Sequence, residues 1–224
     1  MGDLSNPNKE KPMKVYATLP NIMVTGKGFE KKKEIYVISL ASDLHGESNH
    51  RPPALGATNE TLLEMTPDIN AAMKFFVVAV SNIFEGITPK QPPSLSGDGI
   101  VLYPPSDPQG MLALHFVIVE SDKKTRNVGK VLQAIFGDNS VKNLLTEAKK
   151  LTASVGNIPA SLLTSLFGVI TTTLPNALMS NKDDILFSHS HSGVDFNSYG
   201  GSHEGAVYPV RNDRAGANLK IWVR

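Results

Sequence analysis

The chain has 224 residues, 41% hydrophobic and 19% charged, which excludes a disordered composition and is enough for a sizeable core. Lys and Arg number 22 against 21 Asp and Glu, a formal net charge of +1, so no global field is available to hold nucleic acid or an anionic membrane. There is no Cys, which excludes disulfide frameworks, thiol nucleophiles and cysteine zinc sites and fits a reducing compartment.

Residues 1–12 are polar, carry Pro7 and Pro12, and read as a loose leader. They lack the apolar core of a secretory signal, so the default expectation is cytoplasmic. Residues 13–25 read as a strand interrupted at Leu19-Pro20, where proline predicts an edge position or a bulge. Lys31-Lys32-Lys33 reads as a solvated entrance to a second strand, 34–41, that discourages edge pairing. Residues 42–60 form a long polar loop holding Asp43, His45, Glu47 and His50. Thr66-Pro67-Asp68 marks a helix start, and Ile69, Met73 and Phe76 keep helical spacing. The β-branched run after Phe76 nevertheless predicts a short lead-in and then a strand over about 73–84. A short strand at 100–103 and the Pro-rich stretch 104–110 predict a hairpin with the strand that follows.

That next strand is the longest apolar run. Residues 111–119 are apolar at both alternating positions, His115 excepted, and close in Glu120-Ser121-Asp122. Such a run predicts a central strand covered on both faces, with His115 a satisfied core histidine. Helical spacing follows: Val128, Leu132 and Ile135 up to Gly137; then Val141, Leu145, Ala148 and Leu151 from a cap at Asn139 or Ser140 to Gly156. A third helix starts at Pro159 and is expected to end before Pro175. Residues 160–181 carry no charge and approach the length of a membrane span, but their many Ser and Thr, with Gly168 and Pro175, favour a helix packed on the sheets. Strands at 185–191, 207–210 and 219–223 close the chain around a glycine-rich loop, with Trp222 packing at the closing strand. The fold class is therefore mainly β: an antiparallel β-sandwich in one domain, 13–224, with a three-helix segment inserted at 127–180.

Two side-chain sets carry chemistry. Asp43, Glu120, Asp122, Asp183 and Asp184 lie at strand ends or adjoining loops. If the two long strands run the same way, Asp43 and Asp122 share a rim, and converging carboxylates would suit a hard cation such as calcium. The plainer reading is that strands end in water. His189 and His191, at strand spacing i and i+2, share a face, and His203, Asp195 or Glu204 of the glycine-rich loop would supply a third ligand. Here the plainer reading is two strand histidines making hydrogen bonds. No Gly-x-Ser-x-Gly elbow or phosphate loop occurs, and no aromatic residues interleave with a basic patch, so neither nucleophilic catalysis nor nucleic-acid binding is expected.

The strand 34–41 ending in Asp43, the strand 111–119 ending in Glu120-Ser121-Asp122 and the acidic 181–184 stretch together resemble a C2-type β-sandwich. The resemblance implies calcium and anionic-lipid binding through apical loops; the chain departs from the pattern in lacking an Asp-x-Asp loop and in its helical insertion. The leading expectation is a non-enzymatic binding module for another protein or a membrane surface, with calcium as its cation. The alternatives are a metal-dependent enzyme built on His189, His191 and His203, and a membrane-inserting effector that uses residues 162–178.

Overall fold

A computed structural model describes residues 14–25, 33–43, 67–106, 111–121, 128–180, 183–195 and 203–223. The proposed leader 1–12, the ligand candidates His45, Glu47 and His50, Lys31, Lys32 and Asp122 lie outside the described residues.

The strands are β1 (Val15–Val24), β2 (Lys33–Asp43), β3 (Val77–Val80), β4 (Phe84–Ile87), β5 (Ile100–Ser106), β6 (Met111–Ser121), β7 (Asp184–Asp195), β8 (His203–Arg211) and β9 (Ala215–Val223). The helices are α1 (Pro67–Ala72), α2 (Val128–Phe136), α3 (Asn139–Val155) and α4 (Ala160–Ser180). Sheet I has the order β5-β1-β9-β8, and sheet II the order β3-β2-β6-β7 with β4 also on β2. Every pairing is antiparallel.

The two periodicities of the sequence build three layers. Along β6, Leu112, Leu114, Phe116 and Ile118 join the core shared with sheet I, whereas Ala113, Val117 and Val119 join the core under the helices. Sheet II is thus the middle layer, apolar on both sides, and β6 lies at its centre between β2 and β7. Tyr36, Ile38 and Leu40 of β2 continue the helix-facing core, where Leu163, Leu166 and Ile170 of α4 meet them.

The helical segment expected at 127–180 forms over its described residues, 128–180, with two changes at helix ends. The α3 cap is Asp138, one residue earlier than expected: its Oδ1 accepts from Ser140 N at 2.8 Å and Val141 N at 3.3 Å. Gly156 ends α3 at φ 81°, a left-handed position that favours glycine. Helix α4 does not stop before Pro175 but runs through it to Ser180. The missing proline N–H costs about 3 kcal/mol in a helix interior, and the buried stripe offsets it by continuing past the proline through Ala177 and Leu178.

Three other expectations change for long-range reasons, and a fourth, the bulge at Leu19-Pro20, is met. The strand expected over 73–84 divides into α1, whose register buries Ile69 and Ala72, and the short strands β3 and β4. Strands β5 and β6 do not form a hairpin: β5 pairs with β1 and β6 with β2 and β7, so the Pro-rich link crosses between sheets. Leu19-Pro20 marks a bulge, with a register shift between Thr18 and Asn21, while β1 itself is internal. Lys33 guards no edge, because β2 is internal; it forms an ion pair with Glu120.

Gly99 sets the approach of the 94–99 loop to β1. At φ +86° its Cβ would lie 2.0 Å from Leu19 O. Gly99→Ala is expected to cost about 2 kcal/mol or more, seen as a melting temperature lower by about 5 °C. An unchanged melting curve would contradict this close approach.

Candidate functional site

The described members of the acidic set do not share one rim. Strands β2 and β6 are antiparallel, so Asp43 lies opposite Leu112 while Glu120 lies opposite Ile35. At about 3.4 Å per residue, Asp43 and Glu120 sit roughly 27 Å apart along the sheet. The local partners explain the burial of these side chains. The Tyr103 hydroxyl donates to Asp43 Oδ2 at 2.7 Å and ties sheet I to sheet II. The Tyr36 hydroxyl donates to Asp183 Oδ2 at 2.9 Å and ties the end of the helical segment to sheet II. Glu120 is buried against Lys33, and Asp184 is exposed opposite Glu120 in the β6–β7 register. A buried carboxylate needs such a partner to offset the loss of water. Among the described residues, no group of three or more His, Asp or Glu side chains could hold a metal ion.

The histidines divide between two faces and two sheets. On β7, Phe187, His189 and His191 stack along the face toward sheet I, with ring centroids 6.3 Å and 6.4 Å apart in sequence. Phe116 closes on His189 at 5.7 Å. His203 begins β8 in the other sheet, opposite Val223, and its side chain lies outside the described atoms. Burial holds both His189 and His191 below the ordinary imidazole range, and His189 is lowered further by the charge of His191. On the opposite face of β7, Ser190 meets His115 Nδ1 at 2.8 Å. This is the satisfied core histidine expected from the sequence, with a partner no local pattern announces. An exposed serine on a histidine also has the outline of a nucleophile and its base. Yet burial, followed by the charge of His189, lowers His115 to about 4. A general base works best near the operating pH, so His115 is a poor acceptor for a serine proton.

Helix α4 is long and apolar enough to cross a membrane, with mean hydropathy 1.4. Eight of its side chains, from Leu162 to Leu178, are buried. Its outward hydroxyls bond back to their own helix: Thr164 donates to Ala160 O at 2.9 Å and Ser165 to Ser161 O at 3.0 Å.

The feature the sequence did not announce is the edge at β5, which among the described residues is the terminal strand of sheet I. A hollow opens on each of its faces. The inner one, about 440 Å³, lies at the mouth between the sheets; Val80, Phe84, Leu95 and Ile100 form apolar walls, and Asn82, Ser94 and Ser96 add uncharged polar groups. The outer one, about 400 Å³, lies against the outside of sheet I, where Tyr16, Val101 and Pro105 form the walls and Lys14 and Asp98 the rim. Val101, 39% exposed, borders both. Gly99 lies at the wall of the inner hollow, so the tight contact with Leu19 also shapes the site. Behind the outer hollow, Tyr16 stacks on Trp222 at 5.3 Å, and Lys220 Nζ lies 3.4 Å from the Trp222 ring centroid. These contacts stiffen the outer face of sheet I.

No protein-family model matches this chain, and no curated protein matches it in sequence.

Proposed function

We propose that this chain is a non-enzymatic interaction module that receives an extended segment of a partner protein by strand addition along β5. One observation carries the reading: a terminal strand has an apolar hollow on each of its two faces. An added strand takes its main-chain hydrogen bonds from the edge and sends alternate side chains to opposite faces. The hollows lie where those side chains would go. Pairing centres on Ile100 and Val101, the accessible part of the strand, because Leu102 and Tyr103 are buried and Pro104 and Pro105 have no N–H to donate. The uncharged inner hollow suits a bulky aliphatic or aromatic residue. The outer hollow, with Lys14 and Asp98 at its rim, suits an apolar residue with a polar tip. Each filled hollow contributes about 1.5–3 kcal/mol, a gain that association costs partly offset. The buried carboxylates already have protein partners, so this docking uses no cation and EDTA leaves it unchanged.

The test is selection of displayed random 12-residue peptides on the purified chain. The expected result is enrichment of apolar residues at alternating positions, with binding lost in the exposed-site variant Val101→Lys at unchanged melting temperature and weakened in Leu95→Ala, which also loses some core packing. Enriched peptides with helical spacing, or peptides indifferent to both substitutions, would overturn the reading. Light scattering on the free chain checks the occupant: a dimer abolished by Val101→Lys would replace the peptide with a second copy.

A further inference from the structure

We propose that His189 and His191 chelate one borderline divalent transition-metal ion on β7, a site separate from the β5 edge. Strand spacing puts both imidazoles on one face, with ring centroids 6.4 Å apart. Two imidazoles on a tetrahedral ion, with metal–nitrogen bonds of about 2.0–2.1 Å, have ring centres roughly 5 Å apart. Rotation about the side-chain bonds closes that gap of about 1 Å. His189 Nε2 is buried and has no hydrogen-bond partner, so a ligand bond there breaks no hydrogen bond and satisfies a buried polar atom. The surroundings select the type of ion. The neighbouring rings are Phe116 and Phe187, and an all-nitrogen pair against apolar walls suits zinc, nickel or copper, not calcium or magnesium. Backbone pairing with β6 holds both residues in register, His189 opposite Phe116 and His191 opposite Leu114. The Ser190–His115 bond on the opposite face anchors the strand between them. The two remaining positions on the ion are left to water. The site therefore differs from a three-ligand centre that would draw on His203.

The experiment uses the untagged full chain, titrated calorimetrically with Zn²⁺ and separately with Ni²⁺, and melted with and without each ion. The expected result is one ion per chain and a melting temperature raised by about 5–10 °C at a hundredfold excess over Kd. Calcium and magnesium give neither heat nor shift. His189→Phe retains the stacked ring and the metal-free melting temperature but loses the metal-induced rise; His191→Ala loses it as well. No saturable Zn²⁺ or Ni²⁺ binding would overturn the proposal. So would binding retained in the His189→Phe, His191→Ala double variant. Loss of binding in His203→Ala would replace the pair with a three-ligand site and overturn it equally. Peptide docking at β5 is measured on the same variants and should be unaffected.

Discussion

Phe76→Ala is expected to lower the free energy of unfolding by about 3–5 kcal/mol, the range for emptying a large aromatic site in a packed core. Phe76 is fully buried between the second sheet and the helices. It touches Phe136 of α2 at 5.9 Å and Phe167 of α4 at 5.5 Å, both in tilted contact. These contacts join helices from two parts of the inserted segment to one residue just before β3. The loss should appear in urea unfolding as a lower midpoint with an unchanged slope, because the three layers unfold together. A cost below about 1 kcal/mol would mean that the helices are only loosely seated on sheet II.

Acid is expected to weaken the fold between pH 6.5 and 4, and His115 is a main cause. Its folded pKa of about 4 lies below the ordinary 6.5. Between those values the unfolded chain binds a proton that the folded chain refuses. Stability from this group is therefore complete above pH 6.5 and falls as pH drops, levelling off below about 4. At pH 4.5 the loss is roughly 2.5 kcal/mol. His189 and His191 are lowered in the same direction and add to the fall. Carboxylates also titrate here, so the measurement is a difference: urea unfolding of wild type and His115→Leu at pH 7 and 4.5. The variant should lose about 2.5 kcal/mol less between the two pH values. Parallel losses would show that His115 carries no proton-linked stability.

Local pattern carried the fold well where one element decides its own structure. The double-faced apolar run of β6 announced a covered central strand, and 3.6-residue spacing located α2, α3 and α4. Pattern failed where a distant partner decides. Pro104-Pro105 looks like a hairpin turn, but β5 is claimed by β1, with Val101 opposite Thr18. The acidic strand ends suggested a cation rim or strands ending in water, but Asp43, Glu120 and Asp183 are buried, and the tyrosine partners of Asp43 and Asp183 lie 60 and 147 residues away. The i, i+2 spacing of His189 and His191 was legible; the bond between Ser190 and His115, 75 residues apart, was not. The β5 hollows had no signal at all. They arise from the 94–99 loop held by Gly99, the end of β3 and the outer face of β1, which meet only in the folded chain.

Amide hydrogen exchange along β5, with and without a selected peptide, tests strand addition most directly. Without peptide, an amide of Ile100 or Val101 that points away from β1 is expected to exchange faster than a neighbour bonded to β1, because these two residues are accessible whereas Leu102 and Tyr103 are buried. The account predicts that peptide slows the outward amides by tenfold or more and leaves β7 and β8 unchanged. Unchanged exchange along β5, with protection appearing at another edge or on α4, would contradict it.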